Sequence, residues 1–342
     1  MHILVTGGAG FIGSNFVRYI LKTDPDAQVV NFDRLTYAGN LENLRSLEKE
    51  PRYRFVKGDI AEQADLEPVL SDTHFDAIIH FAAESHVDRS LHIGVEDFIR
   101  TNILGTQRLL DLSRKYKVSR FVNVSTDEVY GSLGSQGRFT ENSPIQPNNP
   151  YAATKAAADF LVRAAVNSHK LNAVTTRCSN NYGPYQFPEK LIPLMIANAL
   201  EDKPLPVYGD GMQVRDWIYV IDHCRGVDLV MRFGQTGAVY NLGGLYDVPN
   251  LEVVQQILDL LGKPADLIQH VPDRPGHDRR YAMDTSKIQK ELGWEPQYDF
   301  RNGLKRTVEW YLANREWWER IRSGAYREYY DKIYRHRGGE TA

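Results

Sequence analysis

Thr6-Gly7-Gly8-Ala9-Gly10-Phe11-Ile12-Gly13 lies between the apolar run His2-Ile3-Leu4-Val5 and residues 11–21, whose apolar positions repeat with helical spacing. A buried strand, a glycine turn and a helix in that order are the context a dinucleotide-binding turn needs. Gly7 permits the tight turn, Gly10 lets the backbone approach a pyrophosphate, and Gly13 lets helix and strand pack closely. A pyrophosphate there rests on the helix N-terminus, where unpaired amides and the helix dipole favour negative charge. The glycines alone leave an unliganded turn as an equal reading. Asp33 tips the balance, because it ends a second apolar run 20 residues after Gly13. A carboxylate at that place accepts hydrogen bonds from ribose hydroxyls and repels a 2′-phosphate, which favours NAD over NADP. Arg34 beside it softens that preference, and Asp59-Ile60, after a third apolar run, is placed to contact the adenine.

Outward from this turn, apolar runs at 53–56, 77–81, 121–124 and 173–176 alternate with helical patterns at 41–49, 66–70, within 94–115, and at 151–168. Such alternation implies an α/β fold, a Rossmann-like doubly wound parallel sheet with right-handed crossovers. Ligands bind such sheets at the carboxyl ends of the strands. Beyond Tyr182 prolines crowd the chain, short strands (207–208, 239–242) mix with helices (251–261, 304–312), and a smaller mixed α/β region over the sheet edge is expected. The expected division is 1–181 for the cofactor, with a return segment near 217–240, and mainly 182–342 for the substrate. The aromatic and arginine-rich stretch 310–337 reads as an amphipathic helix docked on the body or on a partner subunit.

A net charge of -3 offers no general attraction to nucleic acid or an anionic membrane. No apolar run approaches the ~20 residues that span a bilayer, and Met1-His2-Ile3-Leu4-Val5 lacks the basic start of a signal peptide. Two cysteines, Cys178 and Cys224, are too few for a disulfide framework, so a reducing cytoplasm and buried structural roles are expected.

Tyr151 and Lys155 are four residues apart behind Asn149-Pro150, a plausible N-cap and first helical residue. The spacing puts both on one helix face, where the ammonium is expected to lower the phenol pKa. A tyrosine so tuned takes a hydroxyl proton while hydride leaves the same carbon. The pair alone is a weak signal and gains weight from following the fifth strand of a dinucleotide fold. Asp127 and Glu128 end that strand. Adjacent strand residues face opposite ways, so both serve one ligand only if the backbone turns there, as Gly131 suggests. Two carboxyls beside one substrate can then divide into a protonated acid and an ionised base, which elimination of water requires. A solvated acidic loop is the other reading.

The glycine string, Asp33, Tyr151/Lys155 and Phe81-Ala82-Ala83 together resemble the extended short-chain dehydrogenase/reductase family over nearly the whole chain. The resemblance implies that Tyr151 is the base for oxidation, that Lys155 also holds the nicotinamide ribose, and that Thr126 assists Tyr151. It extends the NAD site to Phe11, Ile12, Thr36, Phe81, Ala82, Ala83, Ser85, Thr101 and Asn181. Within that family, Thr126-Asp127-Glu128-Val129-Tyr130-Gly131 closely resembles the dTDP-glucose 4,6-dehydratases. So do Ala83-Glu84-Ser85-His86-Val87-Asp88-Arg89-Ser90, Arg177-Cys178-Ser179-Asn180-Asn181-Tyr182-Gly183-Pro184, Pro188-Glu189-Lys190-Leu191-Ile192-Pro193, Arg215-Asp216-Trp217 and Asp273-Arg274-Pro275-Gly276-His277-Asp278-Arg279-Arg280-Tyr281.

That resemblance implies oxidation at sugar carbon 4, removal of the carbon-5 proton by Glu128, protonation of the leaving carbon-6 hydroxyl by Asp127, and hydride return to carbon 6. A sugar nucleotide carries a diphosphate, for which Arg215 and Arg274 are the candidate clamps, since their planar forks match phosphate oxygens. By the same resemblance Ser85, Thr126, Asn180, Lys190, Leu191, Pro206, Tyr208, Asn250, Asp273 and His277 line the substrate site. Tyr208 is a candidate to stack on the base, with a core tyrosine as the equal alternative. No metal is expected, because His86, His223, His270 and His277 lack ligand spacing. A homodimer is expected from the family. A nucleotide-sugar 4-epimerase, a dehydratase of another nucleotide sugar and a non-catalytic NAD sensor remain as alternatives. Related 4-epimerases typically lack the Asp-Glu pair. Whether the product feeds cell-surface rhamnose or a specialised deoxysugar stays open.

Overall fold

The computed structural model describes residues 1–92, 94–273 and 277–324. Its strands are β1 (His2–Thr6), β2 (Gln28–Asp33), β3 (Tyr53–Lys57), β4 (Ala77–His80), β5 (Arg120–Thr126), β6 (Ala173–Cys178), β7 (Asn180–Tyr182), β8 (Leu205–Tyr208), β9 (Val214–Tyr219), β10 (Val239–Leu242), β11 (Asp247–Pro249) and β12 (Ile268–Val271). Seven of them form one sheet in the order β10-β6-β5-β4-β1-β2-β3, and every pairing in it is parallel. Its central strands β1 and β4 are buried on both faces because helices cover both. Ile3 and Val5 of β1 pack with Phe16, Val17 and Ile20 of the helix Phe11–Thr23 and with Val227 and Val230 of the helix Val220–Phe233. Leu4, on the opposite side of the pleat, packs with Leu66, Leu109 and Val162 from the helices Gln63–Asp72, Thr106–Lys115 and Pro150–His169. β1 has β2 on one side and β4 on the other, so the chain winds outward in both directions from this strand. The divergence opens a crevice at the carboxyl ends, where β1 ends in the glycine turn.

The second half builds a three-stranded sheet, β11-β9-β7, and the parallel pair β12-β8. They share an apolar cluster with the helices Leu191–Leu200, Asn250–Leu261 and Phe300–Ala313 that includes Tyr182, Trp217, Phe300 and Trp318. β9 runs straight into the helix Val220–Phe233, and β10 then completes the main sheet against β6. The helix Arg315–Ser323 buries Trp317 and Trp318 on the body, and Trp317 Nε1 donates to Asn43 Oδ1 at 3.0 Å. Each such side chain contributes roughly 1.5–3 kcal/mol on burial. Residues 325–337 of the expected tail helix lie outside the described residues.

Two expectations change. The helix expected at 41–49 is a 3₁₀ turn, Leu41–Leu47, which buries only Asn43 and Leu44. Asn43 there donates to Ala9 O at 2.9 Å, so the segment is tied to the glycine turn and has no apolar stripe to hold a longer helix. The helix expected within 94–115 widens to a π turn at Ile99–Gly105. A Cβ on Gly105 would meet Ile60 Cδ1 at 2.6 Å, which lets the helix approach the strand ends closely. Among the described residues no helix is long and apolar enough to cross a membrane.

Candidate active site

The end of β1 explains its glycines. Gly7 has φ +73°, and a Cβ there would sit 2.5 Å from Ala82 N, inside the backbone that leaves β4. A Cβ on Gly13 would sit 2.3 Å from Gly7 O, so any side chain there pushes the helix off the turn. Gly10 is the N-cap of the helix Phe11–Thr23 with no side chain over the first amides, and they face an open cradle. Asp33 ends β2 as expected. Its carboxylate accepts from Ala9 N at 2.9 Å and Leu35 N at 2.8 Å, while burial pushes its pKa up against those bonds. Arg34 turns away from Asp33 and pairs with Asp59 at 3.1 Å, and Arg100 binds the same carboxylate. A cavity of about 300 Å³ follows. Its walls include Gly7, Gly10, Phe11, Ile12, Gly13, Asp33, Arg34, Thr36, Asp59, Ile60, Phe81, Ala82, Ala83, Ser85, Thr101, Tyr151, Lys155 and Asn181, the whole of the expected cofactor set. The glycine cradle, the free helix end and the Asp33 carboxylate fit a dinucleotide.

The same cavity is bounded by Thr126, Asp127 and Glu128. β5 ends at Thr126, and residues Asp127–Tyr130 coil into a 3₁₀ turn that Gly131 closes at φ +82°. Thr126 caps the turn: its Oγ1 accepts from Glu128 N at 3.3 Å and donates to Asp127 Oδ1 at 3.2 Å. The backbone therefore turns where the two carboxyls need it to. Asp127 is buried and its Oδ2 has no hydrogen-bond partner. Burial, then the neighbouring Glu128 and Asp216, push its carboxyl well above the usual range, which favours its neutral form. Glu128 is half-buried, and its Oε2 accepts from Asn149 Nδ2 at 3.1 Å. Asn149 also caps the helix Pro150–His169, accepting from Ala152 N at 2.8 Å. Tyr151 and Lys155 project from that helix into the cavity, both buried. Here the expected tuning is corrected. Burial, then the nearby Glu128, push the Tyr151 phenol well above its usual value, and only its bond to Thr126 acts downward. Lys155 Nζ donates to Val124 O at 2.8 Å, and burial lowers its own pKa. In this pocket desolvation outweighs the downward pull of the Thr126 hydroxyl on the phenol.

The expected substrate residues divide. Ser85, Thr126, Asn180 and Lys190 line the cavity, with Lys190 Nζ donating to Ser85 O at 3.3 Å. Leu191, Pro206, Tyr208, Arg215, Asn250, Asp273 and His277 do not line it. Several of these form a second group across β8, β9 and the segment after β12. Tyr208 OH donates to Asp88 Oδ2 at 3.3 Å, and its ring meets His277 edge-on at 6.0 Å. His277 Nδ1 and Gln213 Nε2 both bind Asp273, at 2.6 and 2.9 Å. Asn250 opens a helix beside Gln213, and the side-chain carbonyls of both are buried without a partner. Arg215 is buried on β9, over the Tyr281 ring at 4.5 Å, and donates to the Val214 and Asp278 carbonyls. Arg274 lies outside the described residues.

Residues 4–307 match the family model described as GDP-mannose 4,6 dehydratase. The dTDP-glucose 4,6-dehydratase of Neisseria meningitidis serogroup B is 52% identical over 346 residues, covering 95% of this chain and 97% of its own length. The chain belongs to the dTDP-glucose 4,6-dehydratase family. Two solved structures of the family support the same placement. The Bacillus anthracis protein in complex with NAD has a TM-score of 0.88 and 51% identity, over 94% of this chain and 99% of that one. The Streptomyces venezuelae protein with NAD and TYD bound has a TM-score of 0.90 and 50% identity, over 94% and 100%.

For a member of this dehydratase family, sequence reasoning also passed over cavity residues. Cys178, expected to be structural, lines the cavity opposite Thr126 in the strand register. Gln186, Phe187 and Glu189 close it from the loop after β7. Asn149 was legible only as a helix cap, yet it also holds Glu128. The one sequence signal for Glu189 was its position inside Pro188-Glu189-Lys190-Leu191.

Proposed function

We propose that this chain is a dTDP-glucose 4,6-dehydratase, a hydro-lyase giving dTDP-4-keto-6-deoxyglucose. Residues 1–181, with the return segment 217–240, hold the cofactor, and 182–342 mainly hold the sugar nucleotide. Bound NAD supplies a reversible hydride acceptor and a positive charge. Tyr151, assisted by Thr126 and backed by Lys155, takes the proton of the carbon-4 hydroxyl. The ketone so formed acidifies carbon 5, and Glu128 removes that proton. Asp127 delivers its proton to the carbon-6 hydroxyl as water leaves; the hydride taken from carbon 4 would then return to carbon 6 while Glu128 gives its proton back to carbon 5, which completes the 4-keto-6-deoxy sugar. The observation that carries this reading is the turn Asp127–Tyr130, which sets two neighbouring carboxyls, Asp127 with its pKa raised by burial, against one cavity with Tyr151. Arg215, Arg274, Tyr208, Asn250, Asp273 and His277 receive the diphosphate and base, while Ser85, Asn180 and Lys190 receive the sugar.

The test uses purified protein and glucose linked to each of the nucleoside diphosphates, deuterated at carbon 4. A 4-keto product from the thymidine substrate with deuterium at carbon 6 is expected. Label retained at carbon 4 with an inverted sugar would make the protein an epimerase. No turnover with NAD still bound would make it a sensor. We also propose a cytoplasmic homodimer. The helical face that exposes Ile99, Leu104 and Phe160, at 46%, 41% and 53%, is the contact, and a single-chain mass in light scattering would overturn it.

A further inference from the structure

The helix Pro150–His169 carries Tyr151, Lys155 and Asp159 at successive four-residue steps, so the three share one face. Asp159 is buried and engaged on both oxygens. Asn123 Nδ2 donates to Oδ1 at 2.9 Å, and Arg177 Nε donates to Oδ2 at 2.9 Å. The other arm of the same guanidinium, NH1, donates to Tyr130 OH at 2.9 Å. Tyr130 in turn donates to Asn241 Oδ1 at 2.8 Å, and Asn241 Nδ2 donates to Phe139 O at 3.0 Å. Burial pushes the Tyr130 phenol up to about 12, so it keeps the proton this arrangement needs. Its ring stacks with Phe139 at 4.9 Å, and the Arg177 guanidinium lies 4.8 Å from its centre.

The placement of this chain matters more than its strength. Asn123, Arg177 and Asn241 belong to the adjacent strands β5, β6 and β10, with Arg177 in register between Ser125 and Asn241. Tyr130 is the last residue of the turn that carries Asp127 and Glu128. Asp159 stands one turn beyond Lys155 on the catalytic helix. The chain of bonds therefore begins on one element of the proposed mechanism and ends on the other. None of Tyr130, Asp159 and Arg177 lines the cavity. A buried ion pair is weak evidence for stability, because desolvation offsets most of its attraction. What a planar guanidinium with two directed arms provides is a fixed distance and angle between its partners.

We propose that Asp159–Arg177–Tyr130 is a positioning relay that locks the helix bearing Tyr151 and Lys155 to the turn bearing Asp127 and Glu128. It holds oxidation at carbon 4 and elimination across carbons 5 and 6 in register on one bound sugar. The inference rests on the dehydratase reading above. A misplacement of about 1 Å at either element is enough to cost up to about 100-fold in rate.

The test compares Tyr130→Phe, Asp159→Asn, the double variant and Arg177→Lys in the NAD-loaded enzyme. KM, kcat, melting temperature and single-turnover absorbance of the reduced nicotinamide are read. Each single variant is expected to lower kcat by about 10-fold with KM within about two-fold. Reduced nicotinamide should accumulate, because oxidation then outruns elimination. The double variant should be no slower than the worse single, since the relay acts as one unit. Arg177→Lys should behave like the double, because one ammonium cannot span both partners. Wild-type kcat in the single variants overturns the relay, as do losses that multiply in the double variant. A loss of kcat without accumulation also overturns it, since that marks a merely structural role. Should Asp159→Asn fail to fold, Tyr130→Phe decides alone through the same transient. A wild-type protein that makes no 4-keto product from any sugar nucleotide overturns the dehydratase reading itself; an active wild type with undisturbed variants overturns the relay alone.

Discussion

The two sides of the cleft are built on different principles. On the cofactor side every expected residue stands in the wall of one cavity. These residues come from the carboxyl ends of parallel strands and the turns that follow, so short stretches of sequence deliver whole pieces of the site. On the substrate side the expected residues are spread over β8, β9, the start of the helix Asn250–Leu261 and the segment after β12, and Tyr208 and Asp273 are held by Asp88 and Gln213 across long sequence separations. The difference teaches that the expected dinucleotide site rests on backbone geometry, whereas the expected sugar-nucleotide site rests on side chains that tertiary contacts must bring together.

The largest effect that sharpens this contrast is expected at the seam, where the turn Asp127–Tyr130 meets the helix Pro150–His169. Glu128→Gln keeps the bond to Asn149 within reach but removes the base, so product formation should fall by about 10²–10⁴-fold. Oxidation at carbon 4 should remain measurable as reduced nicotinamide in a single turnover. Dehydration at the normal rate would remove Glu128 from its assigned role.

A smaller effect concerns Glu189, on the loop that closes the cavity. It is buried 3.8 Å from His86, and burial raises its carboxyl from the usual 4.5 to about 7. Since the folded value is the higher one, its contribution to stability is full below about 4.5 and is lost as pH rises through about 7. Glu189→Gln keeps the neutral shape and removes that loss. Melting curves from pH 5 to 8 should therefore fall more steeply for the wild type, by an amount up to about 3 kcal/mol. Parallel curves would show that the carboxyl is not held neutral by the fold.

The smallest effect is expected on the substrate side. Arg215→Lys should raise KM for the sugar nucleotide by about 10-fold with kcat nearly unchanged, because a point charge replaces a fork. An unchanged KM would leave Arg215 as a packing residue over Tyr281, held by the Val214 and Asp278 carbonyls.

Much of the site was legible in advance, for identifiable reasons. Gly7 and Gly13 announce positions where a Cβ would strike Ala82 N and Gly7 O. Asp33 is marked by its distance from the glycine turn, and Tyr151 and Lys155 by helical spacing. The turn at Asp127–Tyr130 was expected only as a condition for Asp127 and Glu128 to share a ligand, and Thr126 meets that condition by capping it. The segment 41–49 was misread because charge and length resemble a helix, while Asn43 ties it to Ala9.

By itself the sequence determined the parallel sheet and the glycine turn, and it marked Tyr151, Lys155, Asp127 and Glu128, which the fold brings to one cavity. Those signals depend on strand and helix periods and on backbone conformations that a few neighbouring residues set. Only the tertiary structure decided that burial raises the Asp127 carboxyl and the Tyr151 phenol, and how the turn is tied to the helix. These depend on desolvation and on partners remote in the chain, such as Asp216 near Asp127 and Arg177 between Asp159 and Tyr130. Burial energies belong to the packed pocket, and no stretch of chain contains them.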